Sequence, residues 1–338
     1  MKEELTPAVI PQGYDSYPLG LNCSQPTVWP AGYLPTNLRI QHLRQSPLTP
    51  HTIPEFQGGS YDPWGGPGFD RCEELLNHEQ IRVFFKNNYA AGVSILSTYM
   101  IFGGSNWGNL GNPGGYTSYD YAAAIAEDRS VSREKYSELK LEANFLKVSP
   151  GYLVATPNIC NFTGVYSLSQ EVTVTGLIGE GSVGSFYVVR HIEYQFTGST
   201  TYTLLLSTSA GLVLAIPQLG GSLTLSRRDS KIHVTDYPVG SVGSLLYSTA
   251  EIFTWQEFDD RTVLVVYSGA GETHELALDV GTLTWDVNGS GVTIKELSGK
   301  YIVAQWDTST ERRILKAGNL EVHIVGKNPP FHFMFMLI

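Results

Sequence analysis

The chain has 338 residues, of which 42% are hydrophobic and 16% charged, and its formal net charge is −10 at pH 7. This length suggests about two domains. The acidic balance, without any basic cluster, argues against nucleic acids and anionic membrane surfaces as partners. The sequence has no apolar run of about 18 residues, so no membrane-spanning helix is predicted.

The first predicted elements are two strands separated by a long loop. Residues 9–17 predict a strand, and residues 24–50 predict a surface loop with one short helix. Residues 52–56 predict a second strand that opens into a glycine-rich loop. Glu55 is the one carboxylate in that strand, and a buried carboxylate is costly unless it is paired or takes part in chemistry. The residues alone leave two interpretations open, a salt-bridged glutamate and a catalytic one.

A helix, a strand and a second helix follow. The first helix is predicted to begin with Asp70 as N-cap and Glu73 completing a capping box. Its core-facing positions are predicted to be Leu75, Leu76, Val83 and Phe84, and its water-facing positions Glu74, Glu79 and Lys86. Residues 92–100 predict a buried parallel strand. The last helix begins at Ser132, and its apolar positions are Tyr136, Leu139, Ala143 and Leu146.

The second half of the sequence has a different pattern. From residue 149 onward, short β-branched or aromatic segments alternate with Gly, Ser and Asn-Gly turns, for example at 184–190, 201–206 and 261–267. Many short strands without helices are typical of a β-sandwich. The fold class predicted from the whole sequence is therefore α/β followed by all-β.

Several longer motifs carry a family resemblance. They are 15–20 (DSYPLG), 55–66 (EFQGGSYDPWGG), 99–108 (YMIFGGSNWG), 116–121 (YTSYDY), 147–152 (KVSPGY), 216–221 (IPQLGG) and 228–237 (RDSKIHVTDY). In this order they resemble the fungal β-galactosidases of glycoside hydrolase family 35. The resemblance extends over roughly residues 9–328.

The resemblance implies a domain organisation. Residues 1–148 correspond to the C-terminal part of a catalytic (β/α)8 TIM barrel, residues 149–330 to the all-β second domain, and residues 331–338 form an anomalous apolar tail. A complete barrel needs about 250 residues, and the first segment supplies about three of its eight strands. We therefore interpret both ends of the sequence as products of a truncated gene or gene model.

The resemblance also implies an activity, the hydrolysis of terminal non-reducing β-D-galactose residues with retention and without a cofactor. Glu55 matches the family's nucleophile, and Tyr17 and Tyr121 match tyrosines that contact galactose. The family's acid/base glutamate lies in an Asn-Glu segment, and this sequence contains no such segment. The carboxylates that do not match it are Asp15, Asp62, Asp120 and Glu127. Because general acid catalysis typically contributes 10²–10⁴-fold, we expect this chain to be impaired.

Other interpretations stay open. The chain could be a non-catalytic galactoside-binding fragment or a non-functional truncated product, and the two tyrosines could be buried structural residues. Trp64, Trp107 and Tyr119 are candidate pocket walls. The eight histidines lack ligand spacing, so no metal is expected. The expected partner is a galactoside, with neither nucleic acid nor membrane.

The family implies a disulfide between Cys23 and Cys72, with two buried free thiols as the alternative and Cys160 left over. Asn161 and Asn288 begin glycosylation sequons. The resemblance implies a secreted enzyme, although the sequence starts with polar residues and lacks an apolar signal core.

Overall fold

The computed structural model describes residues 13–158, 164–209, 211–279, 285–299 and 301–327. These residues form two compact units. The first unit contains residues 13–77 and Asn87–Ser132, and the second contains His78–Lys86 and the described residues from Arg133 onward. The domain limits at residues 148 and 330 stay predictions, and the apolar tail lies outside the described residues.

The helices of the described residues are short. They are α1 (Leu38–Gln45), α2 (Phe69–Leu75), α3 (His78–Gln80), α4 (Lys86–Ala90) and α5 (Glu134–Lys147), with a π-helix at Ile81–Phe85 and 3-10 helices at Pro150–Leu153 and Gly240–Val242. The sequence predicts one helix where the structure has α2, α3, the π-helix and α4. The predicted Asp70 cap is wrong, because α2 begins at Phe69 after Gly68 and has no side-chain capping hydrogen bond.

The first unit contains a parallel sheet of three strands, β1 (Gly13–Ser16), β2 (Thr52–Gln57) and β3 (Ile95–Tyr99), in that order. Asp15 pairs with Glu55, and Gln57 pairs with Tyr99. Because parallel strands end at the same edge of a sheet, the residues that follow each strand meet there. β3 is parallel, as predicted, but the prediction that it is buried is wrong. Its residues alternate between exposed and half-buried, and within the described residues β3 is an edge strand that pairs with β2 alone.

The second unit is built mostly of strands. They are β4 (Thr156–Pro157), β5 (Val172–Ile178), β6 (Ser185–His191), β7 (Ser199–Tyr202), β8 (Leu204–Ser207), β9 (Val213–Ile216), β10 (Leu223–Ser226), β11 (Ser230–Pro238), β12 (Ser244–Ser248), β13 (Glu251–Glu257), β14 (Thr262–Ser268), β15 (Thr273–Asp279), β16 (Trp285–Asn288), β17 (Val292–Leu297), β18 (Tyr301–Asp307), β19 (Arg313–Ala317) and β20 (Leu320–Gly326).

These strands form two larger sheets and two strand pairs. The eight-stranded sheet has the order β17-β18-β15-β12-β11-β6-β5-β4, and the five-stranded sheet has the order β13-β14-β20-β19-β16. β10 pairs with β7, and β8 pairs with β9. All pairs are antiparallel except β14 with β20. The predicted β-rich second half is confirmed, whereas the sandwich arrangement stays a prediction.

The main core of this unit lies between the eight-stranded sheet and the two strand pairs. Fully buried side chains of both meet there, including Tyr187, Leu204, Ile216 and Val303. A second apolar cluster joins Leu141 of α5 to residues of β13 and β14. Burial of apolar surface on this scale is the main stabilising contribution, at about 25 cal/mol per Å².

Charged side chains also enter this interior, which contradicts part of the sequence prediction. Glu79 and Lys86 are buried although they were assigned to the wet face. The Lys86 ammonium lies 2.6 Å from a carboxylate oxygen of Glu251, and Arg227 donates to Glu79 at 2.7 Å. The predicted face of α5 is wrong for the same reason: its buried residues are Lys135, Glu138, Leu141, Glu142 and Phe145.

Candidate active site

Glu55 lies near the carboxyl end of β2, the central strand of the parallel sheet, and its side chain is half-buried. Ile53 and Phe56 of the same strand are fully buried and fix the strand in the first unit. The carboxyl end of a parallel strand is where α/β enzymes place catalytic side chains. The position therefore suits a functional carboxylate.

Tyr17 supplies the nearest hydrogen-bond donor. It follows β1 directly, and its hydroxyl donates to a carboxylate oxygen of Glu55. Burial, followed by this hydrogen bond and the charge of Glu55, raises the pKa of Tyr17 well above its usual value. The tyrosine therefore remains a neutral donor to its carboxylate partner.

The loop that leaves β2 binds two further tyrosines through their backbones. The amides of Gly58 and Gly59 donate to the carbonyl of Tyr99 at 2.8 and 3.0 Å, and the amide of Ser60 donates to the carbonyl of Tyr121 at 2.8 Å. A Cβ on Gly59 would lie 2.8 Å from that Tyr121 oxygen. The two glycines after Glu55 therefore allow a close approach that a side chain would prevent.

A pocket of about 300 Å³ lies beside these tyrosines, lined by Tyr61, Tyr99, Met100, Asn106, Asn112, Gly115, Tyr116, Ser118, Tyr119 and Tyr121. Glu55 and Tyr17 do not line it. The ring of Tyr99 lies between, with its centroid 6.4 Å from those of both Tyr17 and Tyr121. Aromatic faces together with amide and hydroxyl groups suit a sugar, which has apolar faces and polar edges.

One of the three candidate pocket-wall residues lies in the pocket lining. Tyr119 lines the pocket, whereas neither Trp64 nor Trp107 belongs to its lining. Both tryptophans are exposed, and the Trp64 ring lies 5.4 Å from that of Tyr116. Burial raises the pKa of Tyr121, as do the neighbouring Tyr99 and Tyr61, so Tyr121 too stays a neutral donor.

Two contacts hold the loop that follows β1. The buried Gln57 side chain accepts from the Leu19 amide at 2.9 Å and donates to the Gly20 carbonyl at 2.6 Å. The disulfide between Cys23 and Cys72, which the family resemblance implies, is present in the structure and joins this loop to α2. Both contacts restrict the segment that contains Tyr17.

Sequence reasoning missed Gln57, Tyr61 and Tyr99. They lie within the family motifs at 55–66 and 99–108, but their contacts come from strand register and loop geometry, which the motifs do not reveal. Gln57 and Tyr99 are paired across β2 and β3, which a correct strand alignment would have placed together.

The remaining site predictions fall elsewhere. Asn288 is exposed at the end of β16, whereas Asn161 and Cys160 lie outside the described residues. The described residues contain no cluster of histidine, cysteine or acidic side chains that could hold a metal ion. No helix in the described part of the chain is long and apolar enough to cross a bilayer.

Two family models match the chain. "Glycosyl hydrolases family 35" matches residues 22–145, and "Beta-galactosidase, domain 2" matches residues 154–333. The chain belongs to glycosyl hydrolase family 35. The predicted family resemblance is therefore confirmed.

Similar family 35 proteins come from several fungi. The chain is 56% identical to beta-galactosidase A of Aspergillus niger over 96% of its own length, 54% identical to beta-galactosidase A of a Penicillium species over 96%, and 52% identical to a probable beta-galactosidase A of Aspergillus flavus over 97%. In each case the match covers 32% of the relative. The chain therefore spans about a third of the length of the relatives it matches.

Proposed function

We propose that the chain carries the nucleophile side of a retaining β-galactosidase that acts on terminal non-reducing β-D-galactose residues. The observation that carries this proposal is the half-buried Glu55 at a strand end, hydrogen-bonded by Tyr17. Membership of family 35 and relatives named beta-galactosidase support the substrate class. The substrate is a galactoside, and the chemistry uses no cofactor.

In the first step, a Glu55 carboxylate oxygen attacks the anomeric carbon of the galactoside. A galactosyl ester forms, the glycosidic C–O bond breaks, and the leaving oxygen needs a proton. In the second step, water attacks the anomeric carbon, the ester bond breaks, and Glu55 is regenerated. Tyr17 orients the carboxylate through its hydrogen bond, and Tyr121 positions the sugar from the pocket side.

The second carboxyl group of this mechanism has no assigned residue. A retaining enzyme places its two carboxyl groups about 5–5.5 Å apart. The carboxylate paired with Glu55 in register is Asp15, which is exposed and lies outside the family's Asn-Glu motif. We therefore propose that these 338 residues by themselves provide the nucleophile without the proton donor.

We further propose that the first 148 residues are the C-terminal part of a (β/α)8 barrel and residues 149–330 a β-sandwich-like second domain. Consecutive parallel strands with helices between them support the first assignment, and the antiparallel sheets support the second. A secreted location is also proposed. The disulfide and the exposed Asn288 sequon favour it, because disulfides persist in oxidising compartments.

The test uses a leaving group that needs no proton. Dinitrophenyl β-galactoside should give a burst of about one equivalent of dinitrophenol per chain, followed by slow turnover that added azide accelerates by forming galactosyl azide. Lactose should be cleaved at least 10²-fold more slowly, because its leaving oxygen requires the acid. Glu55→Gln should abolish the burst. A burst that survives this substitution would contradict the assignment of Glu55.

A second candidate function is galactoside binding without hydrolysis. The pocket favours it, because its amide and hydroxyl groups can bind sugar without Glu55. Calorimetry with galactose separates the two functions. Binding that is equal in the unchanged chain and in Glu55→Gln, with no burst in either, would favour the binding protein.

A further inference from the structure

The pocket residue Tyr121 and the buried residue that follows it, Ala122, have an uncommon backbone conformation. Tyr121 and Ala122 have φ angles of 52° and 53°, in the left-handed region. This region is costly for residues with side chains, and such residues persist there when surrounding contacts enforce it. Tyr121 lines the pocket, so whatever enforces this turn also determines where a pocket residue lies.

The buried carboxylate of Asp120 spans this turn. One oxygen accepts from the Ala122 amide at 3.0 Å, and the other accepts from the Glu127 amide at 2.7 Å. The Asp120 carbonyl also accepts from the Ala123 amide at 3.0 Å. Hydrogen bonds to an ionised acceptor are among the stronger ones in proteins, so the carboxylate is well suited to hold the turn.

Asp120 itself has little room to move. It is 7% exposed, and a Cβ on Gly103 would lie 2.7 Å from its Cα atom. On the other side of the turn, the Tyr121 carbonyl accepts from the Ser60 amide in the loop that leaves β2. The turn is therefore fixed between the segment at Gly103 and the loop that follows Glu55.

We propose that Asp120 is a positioning residue, whose carboxylate holds Tyr121 in its left-handed conformation at the pocket beside the Glu55 strand. The effect on galactose binding rests on the proposed function, whereas the effect on the Tyr121 conformation does not. Both carboxylate oxygens accept backbone hydrogen bonds, which suits a structural acceptor, and Asp120 does not line the pocket.

The first experiment follows Tyr121 directly. The full chain is prepared with 3-fluorotyrosine, and the ¹⁹F signal of Tyr121 is assigned with Tyr121→Phe. Asp120→Ala should shift or broaden this signal while tyrosines of the second unit, such as Tyr136, keep theirs. Asp120→Asn should give a smaller change, because its single acceptor oxygen can still bind the Ala122 amide.

A matched control is available in the same loop. The exposed Asp128 accepts from the Ser130 amide at 2.8 Å, and Asp128→Asn should leave the Tyr121 signal unchanged. If Asp120→Ala does not fold, Asp120→Asn decides. An unchanged Tyr121 signal in the folded Asp120 variants would overturn the proposal, as would an equal shift in Asp128→Asn.

The second experiment measures inactivation by 2-deoxy-2-fluorogalactosyl fluoride. In Asp120→Ala the concentration for half-maximal inactivation should rise about tenfold, which corresponds to about 1.4 kcal/mol, while the maximal rate changes much less. An unchanged half-maximal concentration would overturn the substrate part of the proposal. If the unchanged chain is not inactivated, the proposed function fails, and the ¹⁹F result still decides whether Asp120 positions Tyr121.

Discussion

Tyr17 donates its hydroxyl hydrogen to the carboxylate of Glu55, 38 positions further along the chain. The contact follows from strand register, because Asp15 of β1 pairs with Glu55 of β2 and Tyr17 follows β1 directly. Gln57 holds the loop after Tyr17, so the donor approaches the carboxylate from a restricted segment. This hydrogen bond fixes the orientation of the Glu55 carboxylate.

Removing this donor should slow the reaction of Glu55. A hydrogen bond to a charged group contributes about 1.5–3 kcal/mol, so Tyr17→Phe should lower the rate of the dinitrophenol burst about 10- to 100-fold. The matched control is Tyr14→Phe, since Tyr14 lies in β1, three residues before Tyr17, and hydrogen-bonds His51 instead. Equal burst rates for the two variants would show that the Tyr17 contact has no chemical role.

The disulfide should stabilise the first unit. In the chain-entropy model a cross-link between residues 49 positions apart stabilises by about 4 kcal/mol. The double variant Cys23→Ser/Cys72→Ser should therefore unfold at a clearly lower urea concentration, as followed by tyrosine fluorescence. Reduction of the unchanged chain should produce the same shift, and a reduced chain with an unchanged midpoint would count against this contribution.

The pairing of Lys86 with Glu251 should show strong coupling. Both side chains are buried, and Lys86 also donates to the Ser230 carbonyl at 2.8 Å. Lys86→Met should destabilise the chain by about 3–5 kcal/mol, because it leaves a buried carboxylate unpaired, whereas the double variant with Glu251→Gln should be much less affected. The exposed Lys316 pairs with Glu321, and Lys316→Met should change the free energy of unfolding by about 0–1 kcal/mol.

The buried carboxylates should make the chain sensitive to acid. Burial disfavours their ionisation, but Arg82 and Lys327 outweigh it and lower the pKa of Glu138 to about 2, and Lys231 likewise lowers the pKa of Glu272 to about 2. In the unfolded chain these carboxylates bind protons near pH 4.5. Their contribution to the free energy of unfolding should therefore be fully present above that pH and should be lost as the pH drops toward 2.

Urea unfolding at a series of pH values measures this effect. Glu138→Gln should reduce the slope of stability against pH between 4.5 and 2, because one of the linked protons is removed. Glu74→Gln, at an exposed pair with Arg71, should leave the slope unchanged. Equal slopes for both variants would contradict the linkage assigned to Glu138.

The parts of the fold that could be predicted have local signals. The three strands of the first unit, including the one that contains Glu55, and the β-rich second half follow from apolar runs bounded by glycine and proline. The family motifs assigned Tyr17 to galactose contact, whereas its hydrogen bond to Glu55 was not predicted, because neither residue has a local pattern that points to the other.

The parts that could not be predicted depend on distant partners. Lys86 looks like a water-facing helix residue in sequence, yet its partner Glu251 lies 165 positions away. The buried face of α5 was misassigned because Glu138 meets Arg82 and Lys327, cations that a local pattern cannot reveal. A periodicity analysis treats charged residues as exposed and fails where they are paired in the interior.

The role of Glu55 is tested most directly by trapping. The chain is incubated with 2-deoxy-2-fluorogalactosyl fluoride, which needs no general acid because fluoride departs unprotonated, and the labelled peptide is identified by mass spectrometry. The account predicts one galactosyl adduct per chain, on the Glu55 side chain, and none in Glu55→Gln or with the corresponding glucosyl reagent. An adduct on any other residue, or an adduct that persists in Glu55→Gln, would contradict it.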